Sequence, residues 1–412
     1  MEGGRDVNEK NPGVQADQET VTSIRGSNQS GMRAHNERLV LSILRRLGPM
    51  AKADIARMTG LSAQTVSVIM RALETDGLLA KGEPVRGRVG QPSVPMHLDP
   101  AGAFFFGLKI GRRSLDMVLT NFLGEVQSRL HRIHAYPTPE ATLEFALSGV
   151  DELTAQLSPR DRDRISGLGI AIPFQLWDWA KSIGVPEDAM ASWRHVDIQA
   201  DLAARLTFPV YLQNDASAAC GAELVFGTSQ KPQDFIYFYI GYFIGGGIVL
   251  NGSLFSGKSG NAGAIGSMPI ASGGEVHQLI DIASLSVLER RLRTAGHSAD
   301  SLWPSPETWQ VDDGILDDWI DLTAAGIASA VLSATTLIDF EAALIDGWIP
   351  ETVRRAIVAR TRHHLGQHNL AGISPPQISE GTAGPDARAL GAASLPLSMR
   401  FLVDQNAIMK LA

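Results

Sequence analysis

A chain of 412 residues that is 44% hydrophobic is long enough for two or three packed domains, which excludes a fibrous or generally disordered protein. Its one cysteine, Cys220, rules out an internal disulfide and any multi-cysteine zinc site, in keeping with a reducing cytoplasm. The net charge of −8 hides an asymmetry: residues 32–98 carry ten Lys/Arg against five Asp/Glu, whereas 23 stand against 34 from residue 99 onward, so a basic module precedes an acidic body.

Residues 1–31 are polar, lack the apolar segment of a signal peptide and read as a disordered tail. A first helix follows in "NERLVLSILRRLGP", where Leu39, Val40, Ile43, Leu44 and Leu47 share one face and Gly48-Pro49 stops the helix. The stretch "KADIARMTG" predicts a short second helix beginning at Lys52, with Ile55, Ala56 and Met58 turned inward. After the tight turn "GLS", Ser62 is placed to cap a third helix whose apolar stripe is Val66, Ile69, Met70 and Leu73, and Gly77 ends it.

That third helix leaves Gln64, Thr65, Ser67, Val68 and Arg71 on or near its outer face, groups suited to the major groove of DNA. "LLAKGEPVRGRVGQPSVPMHL" then reads as two short strands flanking a loop that carries Arg86, Arg88 and Gln91. Three helices followed by such a hairpin make a winged helix-turn-helix, with Lys52, Ser62, Gln64, Thr65, Ser67, Arg71, Arg86, Arg88 and Gln91 as the expected DNA-facing residues. A lone winged module contacts few bases, so a homodimer or homotetramer on a two-fold operator is expected.

From Pro100 the pattern changes to strand, hairpin, strand, helix, then alternating strands and helices, as in "FFFGLKI", "LDMVLT" and "GLGIAI". The uncharged run from Phe235 to Leu250, "FIYFYIGYFIGGGIVL", is shorter than the roughly 20 residues of a spanning helix. Rich in aromatic and β-branched residues, it predicts two buried strands around a glycine turn. "PVYLQNDASAACGAELVFG" predicts a strand that ends at Asn214-Asp215 and runs into a helix, with Cys220 as a small core residue of that helix. At a strand's C-terminal end Asn214 and Asp215 have two open roles, to contact a ligand or to cap the helix that follows.

Taken together, "SAQTVSVIMRALETDGLL", "GRVGQPS", "WRHVDIQADLAARLTFPVYLQNDASAA", "IGGGIVLNGSLFSGKSGNAGAIG", "IDFEAALIDG" and "GPDARALGAAS" resemble the ROK family of repressors, open reading frames and kinases, from about Asn36 onward. The resemblance implies an α/β chain: a winged helix-turn-helix at residues 32–99, then a two-lobed, actin-like and sugar-kinase-like (ribonuclease H-like) body. Its first lobe would be residues 100–227 and its second 228–412, with C-terminal helices returning to the first. It also implies that a small carbohydrate-like effector lies between the lobes near Asn214, Asp215, Gly260, Asn261 and Ser267, with Asp215 at the position of the kinase base.

The departures from the family are as informative. Lys109 stands where the phosphate hairpin of the kinases has an acid, and Arg112-Arg113 replace its glycine and threonine. Gly241 and Gly245 to Gly247 match, but Tyr242 and Phe243 add bulk, and Trp348 intrudes in the later "DGW". Ala264 and Ser267 occupy the places of the Glu and His that hold sugar hydroxyls, and the cysteine cluster of a zinc site is absent. His277 and Asp281, at helical spacing, read as exposed helix groups and not as metal ligands. The expectation is a cytoplasmic DNA-binding regulator that is not an enzyme and has no cofactor, metal or membrane span. A working kinase with an added DNA module, or a constitutive DNA-binding protein with no ligand, are the alternatives.

Overall fold

The computed structural model describes residues 29–84, 94–180, 184–227, 232–272 and 274–403. Its first module holds α1 (Gln29–Leu47), α2 (Lys52–Thr59) and α3 (Ala63–Thr75), closed by the antiparallel pair β1 (Leu79–Lys81) and β2 (Met96–Leu98). The Ser62 hydroxyl accepts from Thr65 N at 3.1 Å, and Val66, Ile69, Met70 and Leu73 are buried against Val40, Leu44 and Ile55. Two residues expected inside are about half exposed, Leu47 at 51% and Met58 at 53%. Leu47 closes α1 just before the chain turns away at Gly48, and the eight-residue α2 has room for one inward row, which Ile55, Ala56 and Thr59 fill. The wing residues Arg86, Arg88 and Gln91 lie outside the described residues.

The first lobe continues with β3 (Phe104–Ile110), β4 (Ser114–Thr120), β5 (Val126–Ile133), α4 (Pro139–Ala155), α5 (Pro159–Arg162), β6 (Ile165–Ile172), α6 (Ile198–Ala203), β7 (Val210–Asn214) and α7 (Asp215–Phe226). Its strands lie in the order β5-β4-β3-β6-β7, a three-strand meander extended by two parallel strands. The second lobe comprises β8 (Phe235–Ile240), β9 (Gly245–Leu250), β10 (Ser253–Leu254), β11 (Pro269–Ser272), β12 (Glu275–Gln278), α8 (Ile280–Ala283), α9 (Leu285–Thr294), α10 (Asp313–Thr335), β13 (Ala342–Gly347), α11 (Glu351–Gln367), β14 (Gln377–Glu380) and α12 (Ala387–Phe401). Its main sheet, β10-β9-β8-β13-β14, repeats the first design: a meander, then two parallel strands. No helix among the described residues is long and apolar enough to cross a membrane.

Both sheets are covered on two faces, which is why β3 and β8 are buried along their whole length. Phe106, Leu108 and Ile110 face one core with α4, while Phe105 turns to the other side, against Phe401 of α12. In β8, Phe238 and Ile240 join the core of the second lobe, and Tyr237 and Tyr239 face Cys220 of α7 and Ala387 of α12. The two helices α7 and α12 thus lie between the sheets, α12 on β3 and β6, α7 on β9.

Their approach is possible only without side chains. A Cβ on Gly169 of β6 would sit 1.8 Å from the Ala392 carbonyl oxygen, and one on Gly391 of α12 would sit 1.8 Å from that of Ala218 in α7. Both obstacles are backbone, so neither can swing aside. Gly391→Ala is therefore expected to destabilise the protein by roughly 1–3 kcal/mol or more, read as a lowered urea midpoint, although alanine is ordinarily the better helix former.

Candidate functional site

On the first module Gln64, Val68 and Arg71 of α3 are exposed, Thr65 and Ser67 are half-buried, and Lys52 is exposed at the start of α2. The hydroxyls of Ser62 and Thr65 bond to each other at 2.8 Å, so Ser62 fixes the start of the helix and its oxygen is already engaged. Arg57, also exposed, is held at 2.9 Å by Asp54 and leaves Lys52 and Arg71 as the freer cations of this surface.

The second candidate site is a cleft of about 420 Å³ between the lobes, lined by Asn214, Asp215, Asn261, Ala264 and Ser267. Of the residues expected there, Gly260 does not reach the lining; its left-handed φ of 74° shapes the turn that presents Asn261. Of the two open roles of the Asn214-Asp215 pair, the geometry shows the cap, while both residues line the cleft. Asn214 Oδ1 caps α7, accepting from Ala216 N and Ser217 N at 3.1 Å, whereas the Asp215 carboxylate enters the cleft and meets Arg388 Nη1 at 3.4 Å.

Sequence reasoning missed Arg388, although its stretch had been matched. Arg388 is the second residue of α12, its side chain 12% exposed, with its guanidinium 4.8 Å from the Tyr239 ring. It missed Gln175 and Asp178 as well, which line the cleft from the start and the interior of a short 3-10 helix, Leu176–Trp179; Gln175 has a left-handed φ of 46°, a costly conformation for a residue with a side chain. Arg112 also lines the cleft, against Trp179 and Phe243 at 4.5 and 4.8 Å from their centroids.

Beyond Arg112 the region of the phosphate hairpin is a chamber of about 80 Å³, lined by Lys109, Arg113, Tyr242, Trp303 and Trp348 among others. Lys109 is directly opposite Asp116 across the β3–β4 hairpin and bonds to it and to Ser114, while His131 holds the other Asp116 oxygen. Burial pushes the Lys109 pKa down against the pull of Asp116. For Asp116 burial opposes ionisation, but Lys109 and His131 outweigh it and hold the carboxyl below the usual range. Tyr242 packs 5.5 Å from Trp303, and the Trp348 indole donates to the Leu302 carbonyl at 3.0 Å.

The matching glycines of the second turn have a packing reason. A Cβ on Gly246 would lie 2.0 Å from the Tyr237 carbonyl oxygen, and one on Gly247 would lie 2.5 Å from Cys220. Cys220 is fully buried, as expected. His277, expected on a helix, lies on strand β12, because a hairpin and not a helix fills the stretch before Asp281 in α8; no group of three potential metal ligands occurs among the described residues.

Comparison with known proteins places this geometry. Residues 105–398 match the ROK family, and residues 33–80 match a winged helix-turn-helix DNA-binding pattern. The xylose repressor of Bacillus subtilis is 25% identical over 244 residues, 59% of this chain and 62% of the repressor, so the match spans less than two thirds of that relative. A solved ROK family transcriptional regulator, described as a homologue of the E. coli MLC protein, superposes over 92% of this chain and 99% of its own with a TM-score of 0.66 at 19% identity. A ROK family glucokinase from Streptomyces griseus, solved with glucose and AMPPNP, covers 71% of this chain and 99% of its own, with a TM-score of 0.55 at 20% identity. At these identities the two structures establish the fold alone.

The hairpin charges are interdependent. Asp116→Ala leaves Lys109 buried without its counter-charge and is expected to cost about 3 kcal/mol, whereas Lys109→Met with Asp116→Leu, which removes both charges, should cost far less. Thermal unfolding of the three proteins measures the difference.

Proposed function

The chain belongs to the ROK family, and from that premise we propose that it is a DNA-binding transcription regulator, of the repressor kind, whose interlobe cleft binds a small carbohydrate-like effector. The observation that carries this reading is the course of two helices. α7 and α12 begin at the cleft with Asp215 and Arg388, and end beneath the winged module with Phe226 and Phe401. There Arg45 of α1 stacks over Phe226 at 6.0 Å and Phe122 at 5.4 Å and donates to the carbonyls of Phe122 and Leu123. Phe401 packs edge-on to Phe122 at 5.1 Å.

A ligand that prefers one setting of the Asp215–Arg388 pair would therefore bias the seat of α3 on DNA. Coupling requires only a differential affinity, and a tenfold loss of operator binding corresponds to about 1.4 kcal/mol. Domain boundaries near residues 32, 99 and 228 suit this division of labour, and a second copy would present a second α3 to a two-fold operator.

We take phosphoryl transfer to be absent. In support, Lys109 puts a paired cation where a kinase of the family has a metal-facing acid, and aromatic rings crowd the 80 Å³ chamber. Turnover of hexoses with ATP and magnesium that disappears in Asp215→Asn would restore the kinase reading.

On duplex DNA, Arg71→Ala is expected to cost roughly 1–3 kcal/mol and to relax sequence preference, whereas Arg86→Ala or Arg88→Ala should weaken all sequences alike and flatten the salt dependence. Fluorescence anisotropy with operator and random duplexes separates the two; unchanged binding after deletion of residues 1–98 overturns the DNA-binding assignment. For the cleft, a sugar that releases the operator from the wild type should release it at least tenfold less effectively from Asp215→Ala. Equal release assigns the effector to another place.

A further inference from the structure

We propose that the cleft ligand is an acidic monosaccharide derivative, and that Arg112 receives its anionic oxygens. The inference rests on the effector reading of the cleft and adds the chemical class of the ligand. Arg112 is 9% exposed, yet among the described residues no group accepts a hydrogen bond from it, and its Nε is fully buried without a partner. Trp179 and Phe243, whose centroids are 5.0 Å apart, support the guanidinium from one side and offer it no lone pair. Burial pushes its pKa down to about 10. A guanidinium with a buried, unpartnered Nε is costly, and that cost falls when a ligand supplies acceptors to the fork from the cleft.

The surrounding charges favour an anion. Asp215 is already engaged by Arg388, whose own Nε is buried without an acceptor, and Asp178 is paired with Arg194 at 3.2 Å. Just beyond Arg112, Lys109 is balanced by Asp116 and Arg113 lies 3.9 Å from Glu289, which leaves Arg112 as the cation of this corner with no hydrogen-bonded carboxylate among the described residues. Arg112 lines both the 420 Å³ cleft and the 80 Å³ chamber, so a sugar body beside Asn261 and Asp215 directs an acidic end toward it. The cleft volume falls in the ordinary range for small-ligand sites, roughly 300–1,000 Å³. Carboxylate and phosphate share the paired oxygens that fit the guanidinium fork, and a neutral sugar lacks them.

The test is binding to the full chain at physiological ionic strength, by calorimetry and thermal shift, of glucose, its terminal phosphate ester, glucuronate and inorganic phosphate. At least one of the two acidic glucose derivatives is expected to bind tenfold or more tighter than glucose, the better one telling phosphate from carboxylate, and inorganic phosphate alone should raise the unfolding temperature. Both effects should vanish in Arg112→Met and return in part in Arg112→Lys. Unliganded Arg112→Met should unfold no lower than the wild type, since it removes an unpaired buried charge; a large drop would make Arg112 a structural staple and overturn the proposal. Equal binding of glucose and its acidic derivatives, or an acidic preference that survives Arg112→Met, also overturns it. If glucose then binds in an Asp215-dependent way, the effector reading stands without it. If none of the four binds, this inference falls, and release of the operator by a sugar decides the effector reading separately.

Discussion

The architecture turns on a backbone-to-backbone contact: α12 crosses β3 and β6 and then meets α7, at Gly107, Gly169 and Gly391, closer than any side chain permits. Ordinary helix-on-sheet packing leaves a layer of side chains that absorbs small movements. Here that layer is missing at the crossing, so sheet, α12 and α7 must shift together or separate. Because α12 and α7 also present Ala387 and Cys220 to the second sheet, the same contact joins the two lobes. Its far end, at Phe401, belongs to the same hydrophobic cluster as the winged module, so the core of that module is continuous with the body.

That arrangement gives the chain a spine with a polar end and an apolar end. At the cleft, Asp215 and Arg388 face each other from the first turns of the two helices, where a few tenths of an ångström matter to a charge pair held at 3.4 Å. At the module, Phe226 and Phe401 meet Arg45 and Phe122 through ring contacts. Interactions of the first kind are sensitive to nearby charge, and those of the second pass displacement through packing.

The hairpin shows how a buried cation is held between two strands. Lys109 is buried and is compensated by Asp116 directly opposite on the neighbouring strand. Arg112 instead rests on the Trp179 and Phe243 rings, and its Nε has no acceptor among the described residues. The glycines of the adjoining turn persist for a different reason, since Gly246 and Gly247 abut the β8 backbone and α7. Glycine patterns of this kind thus report close packing as faithfully as they report phosphate binding, and the side chains between them carry the functional distinction.

The sequence by itself determined the winged module, the strand and helix order of the body, and the placement of Asn214 and Asp215 at a strand end, because these follow from local periodicity and capping chemistry. The opposition of Lys109 and Asp116 was also legible in principle, as a short hairpin turn centred on Arg112-Arg113 pairs those two positions. Tertiary structure alone decided that Met58 and Leu47 face solvent, that Gly260 stays out of the cleft, and that Arg388, 173 residues from Asp215 in the chain, becomes its partner. It alone decided that Arg112 is buried with no acceptor for its Nε among the described residues. Periodicity fixes which face a residue takes on its own element; which groups converge depends on how separate elements pack, and a chain-order reading holds no information on the partner a buried charge will meet, or will lack.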